Sequence, residues 1–260
     1  MTNEPSSPRS GSPGGRVRGR GLSNRRLKVV ALVLVVGSAA ATATVMKGLP
    51  AQLADADLGR LTVAVVFEGV SWVTLPVYAW LLTTGFRHTS SRGRYAARLA
   101  ALAVIAEVPY DLATSGRFWD ASSQNPVFAL LASLLVLWYI AGISGRPRAD
   151  RAALTVAAAL TMGAALFFFG VGLRLGLMPC GLLILVFTLV FWFLGKRENT
   201  MMLVGSTIGA VALVFPAFGF AVLHYRNGRE GMRNACEKLL FYALYPVGLA
   251  AVALWRALAP

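Results

Sequence analysis

Five polar side chains stand in stretches of this chain that are otherwise apolar. Glu107 and Asp111 lie four residues apart, a spacing that stacks both on one face of a helix. Paired carboxylates in apolar surroundings can store a proton or take one from a nucleophile. Pro109 lies between them and has no N–H for the Ile105 carbonyl, so a bend and a free polar backbone group are expected there. Glu68 opens the segment "EGVSWVTLP", whose Pro76 offers another bend. Gln124 and Asn125, in "SSQNPVF", follow Asp111 across a short loop, where two amides can orient a polar substrate or cap the next helix. His88 brings an imidazole and is a candidate base, although a lone loop histidine more often sits at an interface.

Each has a structural role to weigh against the chemical one. An ionisable group at membrane depth costs about 2.5–3.5 kcal/mol on insertion scales, which makes such groups functional suspects. Glu107 can equally be packing glue, hydrogen-bonded to a neighbouring helix. Asp111 can cap the loop that leads to Arg117. The sequence expectation is that both acids of this helix turn inward and share a wet chamber with the amide pair.

The elements that must position these groups are helices in lipid. Of 260 residues, 57% are hydrophobic and only 14% are charged, with a mean hydropathy of +0.63. Apolar runs long enough for a bilayer cover 27–46, 61–85, 95–114, 126–144, 152–171, 177–194, 201–223 and 239–258. The fold class expected is all-α, a polytopic membrane protein of about eight transmembrane helices spanning 25–260. Residues 1–24, rich in Pro, Ser, Gly and Arg, form a basic tail expected to be disordered. The tail and first run resemble a signal peptide, yet the length of the run favours an uncleaved first helix. The fifth and sixth runs must turn tightly around Gly172–Gly176, with Arg174 at the tip.

A net charge of +14 would suggest nucleic acid in a soluble protein. Here the basic residues sit in loops and tail, where orienting the chain and meeting anionic lipid headgroups account for them, so membrane lipid and no nucleic acid is the partner expected. With the tail in the cytoplasm, 17 of the 25 Lys and Arg fall on that side, and both termini are expected there. One loop resists: Arg226, Arg229, Arg233 and Lys238 would lie outside. Either that loop needs positive charge or a helix has been miscounted.

Within the loop "GFRHTSSRGRYAAR", Arg87, Arg92 and Arg94 can hold the phosphate of a coenzyme, or serve only as a positive-inside anchor. "HYRNGREG" reads as a turn. "FYALYP" places Tyr245 in an aromatic segment before the last helix, as a candidate substrate contact or an interfacial belt. Cys180 and Cys236 match no metal-ligand spacing, and no metal site is expected. The chain has no phosphate-binding loop, no H-E-x-x-H and no nucleophile elbow, which argues against ATP-driven transport and a serine triad.

The order of several segments resembles the TraX family, associated with amino-terminal acetylation of conjugative pilin and similar to wider integral-membrane acyltransferases. They are "LSNRRLKVVAL", "LPVYAWLLTTGFRHTSSRGRYAARL", "EVPYDLA", "QNPVF", "YRNGREG" and "LLFYALYP". The resemblance implies a multi-pass protein of the bacterial cytoplasmic membrane that moves an acetyl group from acetyl-CoA to an envelope amine or hydroxyl. Glu107, Asp111 and His88 are then the candidate catalytic groups, and Gln124, Asn125, Glu68 and Tyr245 the candidate substrate contacts. The departures bear on activity. The family's Asp-His pair in the first helix is replaced by "VLVVGSAAATAT". Val247 and Gly248 stand where a His usually follows the final Tyr-Pro, and Thr84 stands where a Glu is usual. A catalytically silent relative serving as a scaffold or binding subunit is therefore the competing expectation. A small transporter is a third, weakened by the lack of a visible inverted repeat.

Overall fold

The computed structural model describes residues 21–47, 58–173, 179–227 and 235–258. Among these the chain forms ten helices: α1 (Asn24–Lys47), α2 (Leu58–Ser71), α3 (Thr74–His88), α4 (Arg92–Thr114), α5 (Val127–Gly142), α6 (Arg148–Phe168), α7 (Cys180–Leu194), α8 (Glu198–Val211), α9 (Phe215–His224) and α10 (Ala235–Leu258). Four stretches are long and apolar enough to cross a bilayer: Asn24–Ala43, Val65–His88, Arg148–Phe168 and Leu239–Leu258. Shorter apolar helices accompany them. The tip expected at Arg174 lies outside the described residues.

Three helices run side by side in the same direction. Tyr242 and Tyr245, early in α10, pack with Tyr95 and Leu99, early in α4. At the other ends, Leu249 and Val252 join Tyr110 and Ala113 of α4 and Ala39 and Ala43 of α1. The Arg256 guanidinium then donates to the carbonyls of Ala113, Thr114 and Ser115, satisfying the orphan acceptors at the end of α4. The start of α1 and the end of α10 therefore lie at opposite ends of the bundle. The expectation of both termini on one face does not fit this packing.

Two expected spans are interrupted. The second breaks at Trp72–Val73, three residues before Pro76. There the backbone tightens into i→i+3 bonds from Trp72 N to Gly69 O (3.0 Å), Val73 N to Val70 O (3.2 Å) and Leu75 N to Trp72 O (3.1 Å). The Ser71 hydroxyl donates to the Glu68 carbonyl (2.7 Å) and the Thr74 hydroxyl to the Ser71 carbonyl (2.6 Å), so the break leaves these groups satisfied away from water.

The seventh is not one span but a hairpin. Arg226, past the end of α9, pairs with Glu198 at the start of α8 (2.9 Å). A Cβ on Gly205 would strike the Phe220 ring, and one on Gly209 would lie 2.7 Å from Ala217 N. Moving along α8 thus meets residues successively earlier in α9, the register of antiparallel neighbours. Leu213 and Val214 make the turn with φ of 138° and 66°, conformations that side chains other than glycine rarely adopt. Small residues let α9 come close to the break in α2–α3: Gly219 packs on the Val73 carbonyl and Pro76, and the Phe215 ring covers Gly69. At the foot, Leu22 N donates to Tyr225 O (2.8 Å) and Asn227 N to Leu22 O (3.0 Å). The end of α9 accordingly lies beside the start of α1.

Gly219→Val is expected to destabilise the protein by about 1–3 kcal/mol, as overpacking does. Gly37→Ala, where an added Cβ meets nothing within 4 Å, should leave the detergent-solubilised melting temperature unchanged. Equal melting curves for the two variants would refute the close approach of α9.

Candidate functional site

A cavity of about 500 Å³ runs through the bundle between α1, α2, α3, α4, α5, α7 and α10. Lys28 of α1, His88 at the end of α3, Ser90 just after it and Arg98 of α4 line one part of it. These residues belong to the end of the bundle that holds the start of α1. Along its length the wall is formed by apolar side chains such as Leu32, Leu81 and Leu102, interrupted by the tyrosines Tyr78, Tyr95, Tyr242 and Tyr245. Glu68, Ser71 and Trp72 line the other part, with Pro126 and Cys180. From Glu68 to His88 is twenty residues of α2 and α3, roughly 30 Å of contour at 1.5 Å per residue.

Glu68 is almost fully buried, at 1% exposure. Its carboxylate accepts from the Ser38 hydroxyl (3.0 Å) and from the Trp72 indole N–H (3.2 Å). Ser38 belongs to α1, in its small-residue stretch "GSAAATAT". One buried carboxylate thereby ties α1 to α2 and faces a cavity that opens among basic residues. A carboxylate held beside such a cavity can accept a proton from a bound nucleophile.

The pair Glu107 and Asp111 is buried but does not line this cavity. Glu107 Oε2 accepts from Asn125 N (3.1 Å) and from Asn125 Nδ2 (2.5 Å). Asn125 Nδ2 also donates to the Ala103 carbonyl (2.8 Å), and Asn125 Oδ1 accepts from Val127 N (2.9 Å). Asn125 thus uses its amide to stitch α4 to the start of α5. The carbonyl it takes is Ala103's, two residues before the one Pro109 was expected to free. Asp111 Oδ2 accepts from Asp120 N (3.0 Å) and folds the 115–125 loop back on α4. Gln124 donates to the Ala121 carbonyl (2.9 Å), also within that loop. In the same loop, hydrogen bonds from Ser122 hold the Asp120 carboxyl below its ordinary range. This cavity is not the chamber expected around both acids and both amides: Glu107 and Asn125 meet each other, Asp111 and Gln124 each bond to the loop, and Asp111 Oδ1 and Gln124 Oε1 are buried with no hydrogen-bond partner among the described residues.

The basic residues divide too. Arg87 donates to the carbonyls of Phe191 and Trp192 (3.0 and 3.1 Å) and lies over the Trp192 ring. It fastens α3 to the end of α7. Arg92 lies over the Phe86 ring, and Arg94 is exposed. None of these three lines the cavity, whereas Arg98 and Lys28 do. His88 lines it with Nδ1 2.8 Å from the Thr84 carbonyl. Thr84, the position where the family usually has Glu, is on the wall as well. Lys28 and Arg98 were visible in sequence only as members of basic runs; a 3.6-residue period puts Lys28 on one face of α1 with Leu32 and Val35, and Arg98 on one face of α4 with Tyr95 and Leu102.

The model of the TraX protein family matches residues 23–256. The chain belongs to the TraX family. No curated protein and no solved structure matches it. The match takes in every helix that lines the cavity, so the TraX relationship covers the whole site and not one motif.

Asn125→Ala is expected to cost about 1–3 kcal/mol, because it removes the side-chain donor to the buried Glu107 carboxylate and the Ala103 carbonyl and the acceptor for Val127 N. Gln124→Ala should cost less than about 0.5 kcal/mol, as a loop substitution that removes one hydrogen bond. Thermal melts of the two purified variants read the difference, and equal losses would contradict the Glu107–Asn125 pairing.

Proposed function

We propose that this protein is a TraX-type membrane acyltransferase of the bacterial cytoplasmic membrane, moving an acetyl group from acetyl-CoA to an amine or hydroxyl acceptor of the envelope. The observation that carries the reading is the cavity joining Lys28 and Arg98 to the buried Glu68 carboxylate. The phosphates of the donor suit the two cations at one end. Its slender arm suits an apolar passage interrupted by tyrosine hydroxyls, and its thioester then reaches the carboxylate. Glu68 takes the proton as the acceptor's N or O bonds to the thioester carbonyl carbon. The C–S bond breaks, and the departing coenzyme thiolate regains a proton. Ser38 and Trp72 fix the carboxylate so that one orientation meets the acceptor.

This moves the candidate base from Glu107 to Glu68, because Glu107 is engaged by Asn125 off the cavity wall. It also fits the departures from the family: the imidazoles are absent and a carboxylate occupies the deep end. One observation favours the competing reading of a silent binding subunit. Thr84 brings a hydroxyl to the cavity wall where the family usually supplies a carboxylate.

Purified protein incubated with labelled acetyl-CoA and an envelope extract should label an acceptor. Glu68→Gln should lower that rate by about 100-fold or more, within the range of general-base contributions. The double variant Lys28→Ala, Arg98→Ala should raise the donor KM by about tenfold or more, the scale of a lost charge-assisted contact. Donor binding without transfer by the unaltered chain would establish the silent subunit. Full activity of Glu68→Gln would remove Glu68 as base.

A further inference from the structure

We infer that α8 and α9 form a re-entrant hairpin: it enters and leaves the bilayer through the face bearing the start of α1, with its tip in hydrocarbon and its foot on anionic lipid headgroups. The inference stands apart from the acyltransferase reading, because no residue of the hairpin lines the cavity.

Length sets the first constraint. α8 has 14 residues and α9 has 10, about 21 and 15 Å at 1.5 Å per residue. Neither reaches across a hydrocarbon core of about 30 Å. The register from Arg226–Glu198 at the foot to Gly209–Ala217 near the turn shows that they lie side by side, not end to end.

The chemistry of the turn sets the second. From Ala210 to Leu223 the chain reads "AVALVFPAFGFAVL", with no polar side chain. A turn in water is built from Gly, Asn, Asp, Ser and Pro. This one exposes Val211 at 85%, Val214 at 56% and Phe218 at 57% of their surfaces. Its backbone turns on its own bonds, Ala212 N to Ile208 O, Val214 N to Ala210 O and Ala217 N to Val214 O. Hydrocarbon asks for both features: apolar exposure and internally satisfied amides.

The foot is the opposite. Lys196 and Arg197, exposed, precede α8, and Arg226 follows α9 with its guanidinium near Glu198 and over the Trp80 ring. Arg229, Arg233 and Lys238 come next in the sequence. Cations flanking an apolar hairpin match the phosphates of an anionic leaflet.

The same assignment removes the anomaly in charge. It carries Arg226, Arg229, Arg233 and Lys238 to the tail's face and moves Arg256 to the other. By position in the sequence, the opposite face then keeps Lys47, Arg60, Arg117, Arg174 and Arg256, five of the 25 basic residues. The positive-inside rule places the tail's face in the cytoplasm and the end of α10 outside.

Two measurements test this on the full chain. In the first, alkaline phosphatase or a green fluorescent protein is inserted after Asn227, or fused after Pro260, with every residue of the chain retained, in a bacterial host. Fluorescence without phosphatase activity at Asn227, and phosphatase activity without fluorescence at Pro260, is expected. Any other combination overturns the topology. The second leaves the chain at full length, with Cys180→Ser and Cys236→Ser as background. Val214→Cys should resist a membrane-impermeant maleimide from both faces, while a fluorophore attached there in detergent is quenched by brominated lipid after reconstitution. Maleimide labelling from either face, or fluorescence unaffected by brominated lipid, would overturn a tip in hydrocarbon.

Discussion

Glu68 is the constraint from which the rest of the interior follows. A carboxylate with 1% exposure among apolar helices must be given partners. Among its partners are Ser38 on α1 and Trp72 at the break between α2 and α3. Meeting them fixes how α1 and α2 pack and where the second span must be interrupted. The break frees backbone groups, which Ser71 and Thr74 take up. It also exposes the Val73 carbonyl, against which Gly219 of the hairpin packs. Glu68 thus stands where the cavity, the break and the close approach of the hairpin come together.

The two remaining deep acids show how like chemistry divides by environment. Glu107 is locked by Asn125, which also bonds to α4 and caps α5, so it acts as a joint. Asp111 gathers the loop that follows α4. Glu68 alone of the three faces a cavity. A group that is both buried and beside open volume is in a position to exchange a proton with something that enters. One whose oxygen is taken up by a neighbouring segment, as Glu107 Oε2 is by Asn125 and Asp111 Oδ2 by Asp120, holds the fold together, while Asp111 Oδ1 stays buried with no hydrogen-bond partner among the described residues.

Much of the fold was legible because lipid demands long apolar runs: α1, α4, α5, α6, α7 and α10 fall within a few residues of the runs read from composition. The breaks were not, since an uninterrupted apolar run carries no record of direction. "TMMLVGSTIGAVALVFPAFGFAVLHY" reads as one span although it turns back at Leu213 and Val214. Two signals were available. Pro216 stands where a helix begins rather than where it continues, and the stranded positive charge of Arg226 to Lys238 marked the same place. For the site, the residue types were legible and their company was not. The i, i+4 spacing of Glu107 and Asp111 placed them on one face correctly, but no pattern says that Asn125 closes over one of them. Glu68 gave no spacing signal, because its partners lie thirty residues back and four residues on.

The account stands or falls on what lies between Lys28, Arg98 and Glu68. A cryo-electron microscopy map of the protein with a non-reactive acetyl-CoA analogue would test it most directly. The prediction is density whose phosphates lie against Lys28 and Arg98 and whose acyl end comes within hydrogen-bonding reach of the Glu68 carboxylate. An analogue seated instead beside Glu107 and Asp111, or one that leaves the cavity empty, would contradict it.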